Sequence, residues 1–343
     1  MISSFIKKKE NFKTKIITKH NAAKFFFLHE AFFYPKFFTR ILGVVLDKKK
    51  NIINNWNYNK NISDWSFNKI LSFQILNYSF FFKKIFIFFS NFPKKKEHIF
   101  LNKNDIVLFG PWPNIYWHKL IDFILRVNFI KNKRYNKIFL PIFLKKILES
   151  HPYKKIFYKL NFNYYKYDKK IIFHDLNYVS SLNHFKNNYI LKKNIYNLIN
   201  SIHNKYNLYS SKYKYSFISR IKSTRGLDNE DILFSRLKNY KFKRYYFEEL
   251  TFLEQIKICY NSKIVIGVQG SGLANLIFMK KKSHLIQLSN IYINNPNIRE
   301  LCLAADVNFY DINFSISNKR DFSGKINVDL VEEKVQSILS KSA

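Results

Sequence analysis

From residue 105 onward the apolar positions fall into two alternating arrangements. Short unbroken apolar runs are followed by segments with apolar residues three and four apart. "DIVLFG" (105–110) is a run closed by Gly110-Pro111, which predicts a strand and a turn. "IYWHKLIDFILRVNFI" (115–130) has helical spacing. "NKIFLPI" (136–142) predicts the next strand, 143–149 a helix, and "KKIIFHD" (169–175) a further strand. Strand, helix and strand in succession argue for a parallel α/β unit.

A second series begins near 213. "YKYSFISR" (213–220) reads as a strand, "NEDILFSRLKNY" (229–240) as an amphipathic helix and "FKRYYFEE" (242–249) as a strand. "TFLEQIKICYN" (251–261) reads as a helix, with Thr251 and Glu254 spaced as a capping box. "KIVIGV" (263–268) is a buried strand. A glycine turn, a helix over "LANLIFMKKK" and a strand at "HLIQLS" (284–289) follow it. "DLVEEKVQSILSK" (329–341) is a last helix, with Asp329 and Glu332 in capping positions. The chain reads as two α/β domains, 1–205 and 206–343, joined within 190–212. Residues 1–100 give weak signals, and the Asn/Lys-rich stretch 48–62 reads as a loop.

Composition changes this picture little. At 47% hydrophobic the chain can build a core. The 37 Phe, 23 Tyr and abundant Lys, Asn and Ile are what a genome rich in A and T encodes. The net charge of +36 ordinarily points to nucleic acid or an anionic membrane. Here the lysines are dispersed in pairs and triplets such as Lys48–Lys50, Lys94–Lys96 and Lys280–Lys282. No nucleic-acid-binding motif accompanies them, so no nucleic acid partner is expected. Lysines beside Phe-rich runs favour an anionic membrane surface instead. "YSFFFKKIFIFFSNF" (78–92), broken by Lys83 and Lys84, is too short and charged to span a bilayer. The N-terminus lacks a signal-peptide pattern. The expectation is a cytoplasmic protein, peripheral on the inner face of the cytoplasmic membrane. Cys259 and Cys302 have no metal-ligand or disulfide spacing and read as buried thiols.

Three constellations carry chemistry. "GVQGSGLAN" sits at a strand-to-helix crossing, where an open parallel sheet binds ligands. Gly270 and Gly272 can adopt left-handed conformations there and let a ligand approach the backbone, with Gln269 and Ser271 as donors and the helix N-terminus facing a phosphate or diphosphate. His118, Asp122 and Arg126 are spaced by four, on one helix face. Asp122 would hold His118, and Arg126 would pair with Asp122. In "SRIKSTRGLDNEDIL" (219–233), Arg220 and Arg225 lie at a strand's carboxyl end, suited to an anion. Asn229 reads as a helix N-cap. Each also has a plain structural reading: a tight turn, helix ion pairs, surface arginines.

Together, in order, "HKLIDFILR", "ISRIKSTRGLDNED", "TFLEQI" and "GVQGSGLANLIFM" resemble glycosyltransferase family 61, over about residues 105–312. That family includes bacterial capsular polysaccharide enzymes and eukaryotic xylosyl- and N-acetylglucosaminyltransferases. The resemblance implies a GT-B-like α/β fold, two Rossmann-like domains facing across a cleft. It implies inverting transfer from a nucleotide-sugar donor to a glycan or lipid-linked saccharide acceptor, without an obligatory metal and without a cofactor. His118 or Asp122 would then be catalytic, with Arg126 in support. Arg220, Arg225, Gln269, Gly270, Ser271, Gly272, Leu273 and Asn275 would bind the donor. Two positions depart from the family pattern: Gln269 stands for a His, and Lys281-Lys282 for a Pro-Gly. An amide cannot carry a proton as imidazolium does, so the competing expectations are an inactive sugar-nucleotide-binding relative and, from the charge alone, a basic nucleic-acid-binding protein.

Overall fold

The structure is a computed structural model. It describes residues 15–19, 24–38, 41–47, 96–108, 115–166, 170–179, 189–212, 214–221, 225–290, 297–318 and 322–341. The stretches 48–62 and 78–92, the Gly110-Pro111 turn and the N-terminal fourteen residues lie outside them. Two compact units are present. The first comprises 1–149 and 157–183, the second 150–156 and 184–343.

The first unit is built on an eight-stranded mixed sheet. Its strands are β1 (Lys15–Lys19), β2 (Lys24–Phe38), β3 (Ile41–Asp47), β4 (Lys96–Phe100), β5 (Asp105–Val107), β6 (Lys137–Pro141), β7 (Phe162–Tyr165) and β8 (Lys170–Val179). Strands β4, β5, β6, β7 and β8 pair in parallel, whereas β2 pairs antiparallel with β1, β3 and β8. The expected Rossmann-like pattern therefore holds only for the parallel part. The antiparallel addition comes from the first fifty residues. There "KFFFLHEAFFYPKFF" is so continuously aromatic that it shows no alternation to read.

The crossover from β5 to β6 is one helical run with three geometries. α1 (Tyr116–His118) passes into a π-helical segment, Lys119–Ile124, and then into α2 (Leu125–Ile130). The Leu125 N–H bonds to the Leu120 carbonyl, the i to i+5 bond of a π turn. Leu120–Leu125 are fully buried, so the run packs its middle into the core. After β6 the chain forms a 3-10 turn, Ile142–Leu144, and α3 (Lys145–Leu148).

The second unit contains α4 (Tyr153–Ile156), α5 (Tyr189–Tyr206), β9 (Tyr215–Ile218), α6 (Glu230–Lys238), β10 (Lys243–Tyr245), α7 (Phe252–Asn261), β11 (Ile264–Val268), a 3-10 helix Ser271–Phe278, β12 (His284–Asn290), α8 (Asn297–Ala305), β13 (Asn308–Asn318), β14 (Ser323–Lys325) and α9 (Val328–Ser340). The sheet order is β10-β9-β11-β12-β13-β14, parallel except for β14. The sequence pattern puts the domain join at 205. α5 belongs to this unit because it packs on α8 and the 3-10 helix, with Leu191, Leu198 and Ile202 buried.

Strand alternation explains the burial of both faces. Ile264, Ile266, Val268, Ile286 and Leu288 meet Leu233 and Leu237 of α6 and Val331, Val335 and Ile338 of α9. Cys259 and Cys302 are buried free thiols. Thr251 and Glu254 form the capping box, Thr251 Oγ1 accepting from Glu254 N at 3.3 Å and Glu254 Oε2 accepting from Thr251 N at 2.8 Å. Two capping assignments are corrected. α9 is capped by Asn327, whose side chain accepts from Asp329 N and Leu330 N. Glu332 binds Arg236 and Tyr240 of the neighbouring helix layer. Asn229 stands at the N-cap of α6 without capping it. Its amide pairs with both polar groups of the Ile326 backbone, which leaves no oxygen for the helix.

Candidate active site

The chain reverses direction of growth across the second sheet between β9 and β11. From β9 it moves outward to β10, then returns to lay β11 on the other side. Such a switch point opens a crevice at the carboxyl ends of its two central strands. Ser219 and Arg220 follow β9 there, and Gln269 and Gly270 follow β11.

Arg220 is held from several sides. Its Nη1 donates to the Gln269 carbonyl at 3.1 Å, and its own N–H donates to Glu230 Oε2 at 3.3 Å. A Cβ placed on Gly270 would lie 1.4 Å from Arg220 Nη1. A side chain at 270 would have to displace this guanidinium, so the glycine leaves Arg220 its place. Gly270 has φ 179, extended backbone open to any residue, so the left-handed conformation available to a glycine is not used. Gly272 likewise has no left-handed φ. Gly267 serves packing: a Cβ there would come within 2.9 Å of Leu273 Cδ2 and 3.3 Å of Ile218 Cβ, so the Leu273 side chain would have to shift.

Burial lowers the Arg220 pKa to about 10. The like charge of Arg225 adds to the effect and Glu248 opposes it. Arg225 is lowered too, by burial. Its backbone has φ 66, a conformation that costs an L-residue with a full side chain roughly 1–2 kcal/mol. Two partly buried guanidiniums thus share one corner, under a strain that observed outliers often accompany at functional sites.

Glu230 organises this corner, and sequence reasoning missed it. It is 1% exposed and accepts from Ser219 Oγ and Arg220 N, with Arg244 Nη1 3.8 Å away. Burial raises its pKa against those bonds. It stands in the "GLDNED" part of the motifs that carry the family resemblance, but a Glu in a helix's first turn normally reads as a response to the helix dipole, so it takes no site role from the sequence alone. Gln255, in "TFLEQI", is likewise part of a motif without a role of its own. Its amide donates to the Phe247 and Leu250 carbonyls, and its oxygen accepts from Asn275 Nδ2 at 2.9 Å.

Of the expected donor residues, Arg220, Arg225, Gln269, Gly270, Ser271 and Gly272 gather at this corner. Leu273 and Asn275 do not present themselves to it. The Leu273 N–H closes the turn on the Gly270 carbonyl and its side chain is buried. Asn275 is fully buried and spends its amide on Gln255 and Gly272. The expected helix is a 3-10 helix, and its first N–H groups, like those of any helix, have no partner within it.

The His118 constellation lies in the first unit. His118 Nδ1 is 2.6 Å from Asp122 Oδ2, with His118 12% exposed and Asp122 fully buried. With the carboxylate ionised, Nδ1–H donates and the neutral imidazole carries its lone pair on Nε2. The expected Arg126–Asp122 ion pair is corrected. Arg126 Nε donates to the Asp122 main-chain carbonyl, at the end of the wide π turn. Arg126 therefore fixes the backbone that carries Asp122. Among the described residues no cluster of three His, Cys, Asp or Glu is placed to hold a metal. No helix among them is long and apolar enough to cross a membrane.

An open parallel sheet with a cationic, glycine-lined corner at its switch point is an arrangement on which α/β proteins bind phosphate-bearing ligands. Residues 116–286 match the family described as Glycosyltransferase 61, and the chain belongs to that family. The EGF domain-specific O-linked N-acetylglucosamine transferase of Drosophila melanogaster is 33% identical over 89 residues, 25% of this chain and 17% of that protein. Its Mus musculus counterpart is 31% identical over 84 residues, 23% of this chain and 16% of that protein. The chain thus spans about a sixth of the length of the curated relatives it matches. Family and relatives together support glycosyltransferase activity.

Proposed function

We propose that the protein transfers a sugar, with inversion, from a nucleotide-sugar donor to a glycan or lipid-linked saccharide acceptor. The observation that carries this is the Arg220–Arg225 corner at the switch point of the second sheet. Two guanidiniums depressed by burial, Arg220 also by the like charge of Arg225, gain from a dianionic diphosphate, and they meet the charge that grows on the leaving group. In this reading His118 takes the acceptor hydroxyl's proton and Asp122 holds its tautomer, as in other oriented imidazole bases. The finer expectations travel with it: a GT-B pair of units, transfer that needs no metal, and work at a membrane surface on capsule-type precursors.

The test is thermal stabilisation by a panel of nucleotide sugars, followed by release of free nucleotide from the best binder. Binding with turnover supports the proposal. Binding without turnover, in the presence of varied acceptors and divalent cations, favours the inactive relative that Gln269 suggests. No stabilisation by any nucleotide or nucleotide sugar removes both readings.

A further inference from the structure

The second unit has a cavity of about 690 Å³ at the opposite edge of its sheet, where β9, β11 and β12 begin. Five lysines line it: Lys214, Lys263, Lys280, Lys281 and Lys282. No carboxylate does. Its inner wall is apolar, formed by Tyr215, Ile264, Ile338 and Leu339. Lysines are dispersed elsewhere in the chain, but here five converge on one concave space.

The ordinary reason for lysines at this edge is that helices end there and carry partial negative charge. α7, the 3-10 helix and α9 all end at the cavity, each worth roughly half a charge. Asp306 pairs with Lys282 at 3.1 Å. Together these offset about half of the five positive charges, leaving an excess of roughly two and a half.

The rim is also held in place. Lys282 sits at φ 62, a left-handed conformation unfavourable to lysine. Its N–H bonds to the Asp306 carbonyl at 2.7 Å and its carbonyl accepts from Asn308 Nδ2 at 3.0 Å. Ser283 Oγ bonds to the Lys280 carbonyl at 2.5 Å. On the facing side Asn261 bonds to Leu208 O and Ser210 N, fixing the loop before β9. Lys280 lies over the rings of Tyr209 and Tyr260. The backbone that carries the rim is thus preformed, and ordering on binding is confined to the lysine side chains.

We infer that this cavity binds a phosphate monoester or diphosphate whose organic body rests on the Tyr215–Leu339 wall, at a site separate from the Arg220 corner. The phosphate has two sources, a soluble organic phosphate or an anionic lipid headgroup, and the shared chemistry is a dianion met by ammonium groups.

The experiment uses the full chain carrying Arg225→Ala, so that the other anion site is weakened in every sample. Inorganic pyrophosphate is titrated by calorimetry. Phosphatidylcholine vesicles with and without phosphatidic acid are tested by co-sedimentation. Lys263→Glu/Lys281→Glu removes two exposed rim charges, and Lys238→Glu/Lys325→Glu makes the same change in net charge at two exposed positions that do not line the cavity. The expected result is binding of at least one phosphate source, weakened tenfold or more by the rim pair and less than threefold by the control pair, with both variants folded by near-UV circular dichroism. Binding of pyrophosphate alone identifies a soluble ligand, and binding of phosphatidic acid vesicles alone a headgroup. Absence of binding to both probes, equal binding by the rim variant, or equal loss in the control overturns the inference.

Discussion

The guanidinium of Arg220 occupies the space that a side chain on Gly270 would need, and it is fastened there by the carbonyl of Gln269. Gly270→Ala should therefore act as an arginine mutation. Nucleotide affinity is expected to fall about tenfold or more, close to the loss in Arg220→Ala. The double variant should be little worse than either single one, since both remove the same interaction. Calorimetry with a nucleoside diphosphate measures all three. Wild-type affinity in a folded Gly270→Ala protein would show that Arg220 does not meet the donor.

Arg225 combines charge with strain, and two substitutions separate them. Arg225→Ala and Arg225→Gly both remove the guanidinium and should weaken nucleotide binding equally, by roughly 1.5–3 kcal/mol. They should differ in stability. Glycine adopts φ 66 without a Cβ penalty, so Arg225→Gly is expected to exceed Arg225→Ala by roughly 1 kcal/mol in urea unfolding. Equal stability would mean that the backbone relaxes when the side chain is removed.

His118 and Asp122 are predicted to affect transfer and not donor affinity. His118→Ala should reduce transfer about 10²-fold or more, with nucleotide binding near normal. Asp122→Asn keeps the shape but loses the carboxylate that accepts from Nδ1. It should lower transfer and alter its pH profile. If both folded variants transfer sugar at close to the wild-type rate, the base lies outside this constellation.

Glu230 links the arginine corner to pH. Burial raises its pKa above the unfolded value. A raised acid contributes stability that is fully present below its unfolded pKa of about 4.5 and is lost as pH rises through the folded value. Glu230→Gln removes that titration and keeps a single oxygen, which can accept from Ser219 Oγ or from Arg220 N but not from both, because the carboxylate uses a separate oxygen for each. The stability difference, wild type minus variant, should decrease as pH rises from 4.5 toward neutrality. Urea unfolding at a series of pH values measures it, and a difference that grows with pH would refute the assignment.

Local pattern was enough for much of the second unit. The buried run "KIVIGV" had to be a strand because its residues are apolar on both faces, and the Thr251–Glu254 box announced α7 because capping acts over three residues. The same pattern placed His118 and Asp122 within reach of each other on a helix. What the chain alone could not show involves partners far apart in sequence. Arg220 and Gln269 are separated by 49 positions, Asn229 and Ile326 by 97, and nothing in either residue's neighbourhood specifies the other. Strand order brings them together, and strand order follows from how all the helices cover both faces of the sheet. The role of Gly270 belongs here: sequence shows that a glycine is present, but only the packed sheet shows that an arginine fills the space beside it. The same holds for the π turn under Asp122, which a spacing of four residues does not distinguish from an ordinary helix until the buried core fixes which carbonyls keep their partners.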